Sequence, residues 1–389
     1  MQYRRFGKTE LRVPVITCGA MRFQQSFRDE EPVTDENQQD LEACVRRAVE
    51  SGINHIETAR GYGTSEAQLG RVLPQLPRNE ILVQTKVAPD DDTAKFAANF
   101  EKSMNLLQLD YLDLFAMHGI NDDAALDAAM RCIERALAWQ REGRIRHIGF
   151  STHGPAAVVV RAVETDAFAY VNLHWFYIDD TRWPAIEAAH KRDMGVMIIS
   201  PNDKGGMLYN PSPKLVQLTD PLAPMAFNDL YCLSRPEVHT VSQGVMRPDD
   251  FNVHIEAVER LDASAEILPP ILKRLDDAMV QALGKNWVET WRVGLPEWRE
   301  TPGNVNIPII LWLRNLALAF DMIEYGKMRY NLLGRGGSWF PGENAARVDE
   351  LDLADVLRNS PHADKIPALL KETHQLLADK PRKRLQQDG

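Results

Sequence analysis

Eight short apolar runs, each followed by a segment with helical periodicity, dominate residues 13–242 of this 389-residue chain. We expect the runs to be strands, at residues 13–18, 53–58, 81–87, 113–118, 147–151, 170–174, 195–200 and 238–242. Strands joined by helices become parallel neighbours, and eight such units in about 250 residues are typical of the (β/α)8 TIM barrel, an α/β fold. A doubly wound sheet is the competing fold, but no Gly-x-Gly-x-x-Gly follows an early strand, as a Rossmann site requires.

The connecting segments and the rest of the chain read as helices. Helical periodicity is found at residues 38–50, 67–73, 93–107 and 123–141, and again at 267–283, 309–325 and 366–378. The later helices carry apolar residues three and four positions apart, which indicates that each packs one face against another part of the protein. We therefore expect a barrel over residues 1–262 and a helical C-terminal extension over residues 263–389 packed on it. An independent binding module is the alternative for the extension.

Composition narrows the possible partners. The net charge of -10 and pI near 5.6 argue against general affinity for nucleic acid or anionic membranes. The basic run at 380–384 is a local exception that we expect to be a solvated tail. No stretch is long and apolar enough to span a bilayer, and residues 1–14 lack the apolar core of a signal peptide. We expect a cytoplasmic protein with a small-molecule substrate, and the oligomeric state stays open.

No metal site or disulfide is expected. Cys18, Cys44, Cys132 and Cys232 are far apart and form no Cys-x-x-Cys pair, so neither a disulfide framework nor a zinc ribbon is indicated. The acidic run at 90–92 follows a proline, and such a run is typically a solvated turn and helix cap.

Polar residues stand at the ends of three consecutive strands. Glu57, Lys86 and His118 lie near the C-terminal ends of the second, third and fourth runs, and Tyr62 lies on the loop after the second, between two glycines. Neighbouring strands are about 4.8 Å apart, so the four side chains converge at the face where barrel enzymes do their chemistry. Thr64 or Ser65 is expected to cap the following helix. A structural salt bridge with a nearby histidine is the alternative.

These residue types suit proton transfer to a carbonyl oxygen while hydride reaches its carbon. Tyr62 is the expected general acid, because a phenol with a pKa near 10 holds its proton at neutral pH. Lys86 would stabilise the phenolate that remains, and Glu57 would hold Lys86 in place. His118 would orient the carbonyl or help relay the proton.

The sequence resembles the aldo-keto reductase family over roughly residues 1–260. The resemblance rests on residues 3–11, on Gly19-Ala-Met21, on the motif at 55–59 followed by Tyr62-Gly63, and on Lys86, His118 and Gly149-Phe-Ser151. It implies NADPH or NADH extended across the barrel mouth and reversible reduction of an aldehyde or ketone to an alcohol. The cofactor contacts that it implies are Gly19, Ala20, Met21, Ser151, Thr152, Asn172, Ser200 and Pro201.

The chain departs from the family pattern at both ends of the expected cofactor. Glu57 replaces the family's aspartate, so its carboxylate reaches one methylene further. The loop at 243–250 lacks the usual Lys-Ser and downstream Arg that hold the 2′-phosphate, and leaves Arg247 as the obvious phosphate partner. Val253-His254 stands where the family uses Glu-Asn for adenine. The resemblance therefore implies NADP, with NAD also possible.

The C-terminal extension resembles that of a subgroup with ferredoxin-like motifs. The resemblance lies in residues 304–308 and 365–374. The positions for cysteines hold other residues, namely Leu295, Trp298, Thr301, Leu353, Val356 and Ser360. An iron-sulfur cluster needs thiolates, so none is expected.

Two other functions stay open at this stage. One is a dinucleotide-binding sensor with little turnover. It is suggested by Glu57 in place of aspartate and by the loss of phosphate-binding residues from the loop at 243–250. A barrel enzyme that uses Lys86 as a Schiff-base nucleophile is a further alternative.

Overall fold

The computed structural model describes residues 1–337 and 340–380. It contains two compact units, a barrel unit of residues 1–205 and 225–265, and a helical unit of residues 206–224 together with the described residues from 266 onward. The predicted boundary at residue 262, and the predicted packing of the extension on the barrel, stay predictions. The predicted basic tail at 380–384 lies outside the described residues except for Lys380.

The barrel unit is a closed barrel of eight parallel strands, which confirms the predicted TIM-barrel fold. Its strands are β3 Ile16–Gly19, β4 His55–Glu57, β5 Leu82–Val87, β6 Leu112–His118, β7 Ile145–Ser151, β8 Tyr170–Leu173, β9 Gly195–Ile198 and β10 Thr240–Gly244. They follow one another around the barrel in chain order, and β10 closes it by pairing with β3.

The first predicted strand, at 13–18, is wrong as a single element. It divides into β2 Arg12–Pro14, which pairs antiparallel with β1 Tyr3–Arg5, and the barrel strand β3. Pro14 has no amide hydrogen to donate to a sheet, so the chain changes partners beside it. Phe6 and Val13 of this hairpin segment pack in the same buried cluster as Tyr170, and the hairpin thereby covers the N-terminal end of the barrel.

Helices follow most barrel strands. They are α1 Asp35–Glu50, α2 Ser65–Val72, α3 Thr93–Leu107, α4 Asp123–Arg141, α5 Ala156–Glu164, α6 Trp183–Lys191, α7 Pro201–Lys204, α9 Pro224–Leu233 and α10 Asn252–Glu259. The predicted cap in the acidic run is confirmed, because the Asp92 side chain accepts hydrogen bonds from the backbone of Ala94 and Lys95. Of the two predicted caps of α2, Thr64 stands at the N-cap position but makes no capping bond, and Ser65 is the first residue of the helix.

The helical unit is formed from two separate stretches of chain. Its helices are α8 Pro213–Thr219, α11 Ser264–Leu283, α12 Lys285–Thr290, α13 Ile307–Phe320, α14 Ile323–Tyr330, α15 Ala354–Leu357 and α16 Ile366–Leu377. Ser212 Oγ donates to the Phe320 carbonyl at 2.6 Å, and Arg274 Nε donates to the Leu218 carbonyl at 3.0 Å. The inserted stretch at 206–224 is thus bonded to residues far later in the chain.

Two sequence predictions for this unit can be compared with the structure. The helix predicted at 309–325 is wrong as one element, because Asp321 adopts a left-handed conformation with φ 55° and separates α13 from α14. Thr301, at one of the positions where the resemblance would place cysteine, has its hydroxyl 2.7 Å from the carbonyl oxygens of Trp298 and Val305. That position therefore contributes to local hydrogen bonding.

Over residues 1–337 and 340–380, no group of three His, Cys, Asp or Glu side chains is arranged to hold a metal ion. Within the same ranges, no helix has both the length and the apolar character needed to cross a membrane. The four cysteines are buried and unpaired as disulfides.

Candidate active site

Alternate residues of each strand face the inside of the barrel, and strand register sets their height. A Cβ placed on Gly149 would lie 2.5 Å from the ring of Tyr170, so these two positions face each other inside. Two residues further along, Ser151 and Asn172 face the same way, because side-chain direction alternates along a strand. Ser151 is paired in register with His118 on one side and with Asn172 on the other. These three residues form one level at the C-terminal mouth.

A buried ion pair joins β4 and β5 at this mouth. Lys86 is 1% exposed, and its ammonium binds a Glu57 carboxylate oxygen. The same ammonium donates to the Thr58 carbonyl oxygen at 2.7 Å. The other Glu57 oxygen accepts a hydrogen bond of 2.8 Å from Ser242 Oγ on β10, the strand on the far side of β3. Both carboxylate oxygens of Glu57 are therefore fixed.

Space for the longer Glu57 side chain comes from Gly19. A Cβ on Gly19 would lie 2.7 Å from Ser242 Oγ and 3.3 Å from Glu57 Oε1, so any larger residue would disturb the bond between them. Sequence reasoning did not anticipate Ser242 as a partner of Glu57. Its signal was its place at the end of the eighth apolar run, on the inward face with Thr240.

Tyr62 lies over this ion pair. Its side chain is 8% exposed, and its ring centroid is 5.0 Å from Lys86 Nζ. Its ring meets the His118 ring edge-on, with centroids 5.8 Å apart and planes at 87°. The hydroxyl of Tyr62 also forms a hydrogen bond with Lys86. The structure thus brings together the four residues at strand ends that the sequence singled out.

The protonation of Lys86 is set by opposing effects. Burial lowers its pKa, but the attraction of Glu57 and Tyr62 and the hydrogen bonds to both outweigh burial, so the pKa is raised above its usual value. Lys86 therefore remains a cation beside the phenol at neutral pH.

The turn that carries Tyr62 is held tightly on its outer side. Gly63 has φ 55°, and a Cβ there would lie 2.1 Å from the Ser26 carbonyl oxygen, so glycine is required. The Thr64 hydroxyl accepts from the Ser26 amide at 3.1 Å and lies 2.8 Å from Gln68 Oε1. The Thr64 side chain is thus engaged with a neighbouring loop and with its own helix, which explains why it does not cap α2.

A second buried ion pair lies behind the same turn. Arg60 is 9% exposed and binds both Glu66, which is fully buried, and Asp29. Glu66 also accepts a hydrogen bond of 2.6 Å from the Thr85 hydroxyl on β5. Burial raises the pKa of Glu66, while the attraction of Arg60 opposes that rise. Sequence reasoning did not find this pair, because Arg60 and Glu66 read as surface charges beside a turn.

On the β7 and β8 side, three of the residues implied as cofactor contacts lie close together. Asn172 is fully buried, and within the described residues neither its amide nitrogen nor its amide oxygen has a hydrogen-bond partner. Ser151 Oγ accepts from the Gly119 amide at 3.2 Å, and Thr152 Oγ1 donates to the Ile120 carbonyl at 2.6 Å. An orphaned buried amide is costly, so Asn172 is suited to a ligand that both donates and accepts.

The remaining implied cofactor residues lie on three loops. Gly19, Ala20 and half-buried Met21 follow β3, and Ser200, with φ 57°, leads through Pro201 into α7 after β9. Arg247 lies at the surface with its side chain 82% exposed and its Nε 3.8 Å from Asp250. The structure does not bring Arg247 into a buried site with the others.

His254, one of the two residues at the family's adenine position, is buried. It is 1% exposed, and its Nδ1 lies 2.5 Å from Asp229 Oδ2. Asp229 also accepts from Gln243 Nε2 at 2.5 Å. These residues bond to one another inside the barrel unit, so His254 belongs to an internal hydrogen-bond network.

A cluster of three basic side chains, His153, His174 and Lys204, lies at the ends of β7, β8 and β9. Lys204 Nζ is 3.2 Å from His153 Nδ1 and 3.1 Å from His174 Nε2, and the two imidazole nitrogens are 3.1 Å apart. Sequence reasoning gave no role to His153 or Lys204. The signal was spacing, since His153 and His174 each follow an inward-facing residue by two positions.

Comparison with known proteins agrees with this architecture. The model of the Aldo/keto reductase family matches residues 15–215. L-galactose dehydrogenase of Arabidopsis thaliana is 29% identical over 180 residues, which cover 44% of this chain and 51% of that protein. L-glyceraldehyde 3-phosphate reductase of Escherichia coli (strain K12) is 26% identical over 171 residues, which cover 40% of this chain and 46% of that protein. The chain thus spans about half the length of these curated relatives.

A solved structure shares the fold. The holo form of an aldo-keto reductase from Bacillus halodurans superimposes with a TM-score of 0.60 at 22% identity, covering 70% of this chain and 96% of that chain. At this identity the likeness speaks for the fold alone. The family model, which spans more than half of the sequence, shows that this chain belongs to the aldo/keto reductase family.

Proposed function

We propose that the protein is an NAD(P)H-dependent oxidoreductase that reversibly reduces a small aldehyde or ketone to an alcohol, with Tyr62 as general acid. The observation that carries the proposal is the position of Lys86. This buried cation is held between Glu57 and the phenol of Tyr62, and its pKa is raised. A cation in that place lowers the free energy of the phenolate that proton donation leaves behind.

The side chains have separate tasks in the proposed reaction. A reduced nicotinamide dinucleotide, when bound, supplies the hydride. Tyr62 donates its hydroxyl proton to the carbonyl oxygen, and Lys86 stabilises the resulting phenolate through the hydrogen bond it already makes to Tyr62. Glu57 balances the charge of Lys86, and the Thr58 carbonyl helps to fix the direction of its ammonium.

His118 is proposed to orient the carbonyl group. It ends β6 next to Tyr62, and a Cβ on Gly61 would still be 3.9 Å from its ring, so the turn does not crowd it. A neutral imidazole can donate one hydrogen bond to a carbonyl oxygen. That bond would place the oxygen beside the Tyr62 hydroxyl, which is the geometry that proton transfer requires.

Asn172 is proposed to hold the carboxamide of the nicotinamide. A carboxamide offers an oxygen acceptor and an NH₂ donor, which match the two orphaned atoms of the buried Asn172 amide. Ser151 at the end of β7 and Thr152 just after it lie beside Asn172. The other residues that we propose to hold the dinucleotide are Gly19, Ala20, Met21, Ser200, Pro201 and Arg247.

The choice between NADP and NAD depends mainly on Arg247. A guanidinium pairs well with the 2′-phosphate of NADP. Because this side chain is 82% exposed, solvent screens the interaction, and we expect it to contribute at most about 1 kcal/mol. We therefore propose NADP as the cofactor, with NAD bound less tightly by no more than about fivefold.

The raised pKa of Lys86 disfavours a Schiff-base mechanism. A lysine that attacks a carbonyl must lose its proton, so enzymes of that type lower the pKa of the amine. Here Glu57 and Tyr62 have the opposite effect. Borohydride in the presence of a carbonyl substrate should accordingly trap no adduct on Lys86.

Binding and turnover measurements test the proposal separately. NADPH and NADH are titrated by fluorescence, and a panel of small aldehydes and ketones is then screened for oxidation of the bound dinucleotide. Binding followed by oxidation is the expected result. Tight binding with no oxidation by any carbonyl would favour the dinucleotide sensor instead.

A further inference from the structure

We infer that Ser242 is a positioning residue of the proposed reduction, because it holds one Glu57 oxygen away from Lys86 and so leaves an ammonium hydrogen for the proton donor. The inference rests on the proposed function and adds a residue to its machinery. Its starting point is the hydrogen bond that Ser242 Oγ donates to Glu57 Oε1 at 2.8 Å. The other oxygen of the same carboxylate, Oε2, binds the Lys86 ammonium.

The Lys86 ammonium has as many partners among the described residues as it has hydrogens. A lysine ammonium donates three hydrogen bonds. Its partners are Glu57 Oε2, the Thr58 carbonyl oxygen at 2.7 Å, and the Tyr62 hydroxyl. A second Glu57 oxygen would therefore have to displace one of the other two. The Thr58 carbonyl is fixed by the backbone, so Tyr62 is the partner that would lose its bond.

Ser242 reaches Glu57 over Gly19. The strands β10 and β4 pair with the two edges of β3, so one strand separates Ser242 from Glu57. Gly19 of β3 places no side chain between them, since a Cβ there would lie 2.7 Å from Ser242 Oγ. Ser242 is 4% exposed and Glu57 is 5% exposed, so bulk water has little access to replace the hydroxyl. The serine is therefore the group that keeps Oε1 turned toward β10.

Loss of this hydroxyl should change how strongly Lys86 assists Tyr62. A buried carboxylate oxygen without a donor is costly, so Oε1 would turn toward the ammonium as the nearest source of hydrogen bonds. Glu57 would then balance the charge of Lys86 more completely. The phenolate of Tyr62 would be stabilised less, and the phenol would become a weaker acid with a higher pKa.

The other buried titratable groups near the site do not titrate close to this phenol. Burial lowers the pKa of His55 to about 3, and burial raises the pKa of Cys18 and of Tyr170 above their usual values. His118 packs against the ring of the proposed acid, and a histidine ordinarily titrates at about 6.5. A shift of the alkaline limb therefore reports on the phenol and its ammonium partner.

Ser242→Ala tests the inference through the pH dependence of aldehyde reduction. We expect the alkaline pKa of kcat/KM to rise by about half a unit to one unit and kcat to fall by about three- to tenfold, with NADPH affinity nearly unchanged. Ser242→Thr keeps the hydroxyl and should restore the parent's pH profile. A lower kcat with an unmoved alkaline limb would mean that Ser242 only supports the fold, and would overturn the inference.

Thr240→Val is the matched control. Thr240 lies two positions before Ser242 on the same strand and the same face, and its hydroxyl is 2.8 Å from Thr17 Oγ1. The variant removes a buried hydroxyl from β10 without removing a bond to Glu57. It should lower the Tm and leave the alkaline limb in place. An equal shift of the limb in this control would contradict the inference.

Direct titration of Tyr62 decides the matter even if no carbonyl is reduced. Tyrosine is isotopically labelled at Cζ for NMR, and the Tyr62 signal is the one absent from Tyr62→Phe. Its titration midpoint should be higher in Ser242→Ala than in the parent. In a Glu57→Gln background, the same serine substitution should cause no rise, because no carboxylate remains to turn toward Lys86.

The outcomes of this titration separate the inference from the proposed function. A higher midpoint in a protein that reduces no carbonyl would refute the reductase but keep the coupling of Ser242 to Tyr62. Identical midpoints in the parent and Ser242→Ala would overturn the inference whatever the activity. Should Ser242→Ala fail to fold, Ser242→Cys, whose thiol is a weaker donor, should raise the midpoint by a smaller amount. No rise in that variant would contradict the inference as well.

Discussion

Two buried ion pairs lie on opposite faces of the same strand, and they differ in what they can reach. Lys86 and Thr85 are neighbours on β5, so one faces into the barrel and the other faces out. Lys86 binds Glu57 inside, whereas Thr85 binds Glu66 outside, where Arg60 completes the second pair. Both pairs are buried and both are linked to further hydrogen bonds.

The difference between the pairs lies in their third partners. The inner pair contacts the Tyr62 hydroxyl, a group that can exchange a proton with a substrate. The outer pair extends instead to Asp29, a carboxylate that also binds Lys102 at 2.6 Å. The same kind of interaction thus supports chemistry on one face and holds the turn of Tyr62 on the other. Burial and charge pairing alone therefore do not identify a catalytic site.

The largest expected effect comes from Tyr62→Phe, at the turn that both pairs support. The change removes the proton donor and leaves the ring contact with His118, so kcat should fall by about 10² to 10⁴-fold while dinucleotide affinity stays nearly constant. Steady-state kinetics and fluorescence titration measure the two quantities, with Tyr111→Phe as the control. Full activity in the variant would refute the assignment of Tyr62.

Glu57→Gln tests the inner pair next. It leaves the buried Lys86 ammonium with a neutral partner, and truncation of one side of such a pair typically costs about 3 to 5 kcal/mol. Both the free energy of unfolding and kcat should fall, as denaturant curves and kinetics will show. Were the variant to match the parent in both measurements, Lys86 would have another counter-ion and the inner pair would be structural.

Glu66→Gln tests the outer pair and should cost less. Arg60 keeps Asp29 as a charged partner, so the loss is mainly that of buried hydrogen bonds, about 1 to 3 kcal/mol of unfolding free energy. For each kcal/mol of unfolding free energy that is lost, Glu66→Gln should keep a far larger share of the parent's kcat than Glu57→Gln does. Thr85→Val, which removes only the hydroxyl bond to Glu66, is the matched control. A loss of kcat as large as that of Glu57→Gln would remove the distinction between the two faces.

The smallest expected effect concerns alkaline pH. The pKa of Lys86 is raised in the folded protein, so the folded state holds this proton more tightly than the unfolded chain does. Its contribution to stability is complete below the unfolded pKa of about 10.4 and is lost as the pH rises through the folded value. The difference in unfolding free energy between the parent and Lys86→Met should therefore begin to shrink as the pH rises above about 10.4. Parallel pH dependences would show that Lys86 is not stabilised by its partners.

Sequence reasoning was most successful where the signal is periodic. The alternation of apolar runs and helical segments predicted the closed barrel, and α3 and α4 begin and end where they were expected. It failed where proline or a left-handed residue interrupts a regular pattern, at Pro14 in the first run and at Asp321 in the extension. Such breaks depend on single residues, which a window of apolar positions averages out.

The candidate site was predictable up to the contacts that barrel closure creates. Glu57, Lys86 and His118 stand at the ends of consecutive runs, so their proximity follows from topology. Ser242, by contrast, is 185 positions from Glu57 in the chain, and only the pairing of β10 with β3 brings it near. Val253-His254 stands where the family uses Glu-Asn for adenine, and the structure buries His254 against Asp229. The order of residues along the chain does not show which side chain His254 contacts after folding.

The discontinuous helical unit has a consequence for how the chain is made. The stretch at 206–224 leaves the ribosome well before its partners, since Ser212 and Phe320 are separated by 108 positions. At a synthesis rate of about 5 to 20 residues per second, that separation corresponds to a wait of roughly 5 to 20 s. During this interval residues 206–224, between β9 and α9, lack the later residues to which they bond in the folded protein. Chaperones or proteases have time to act on this stretch.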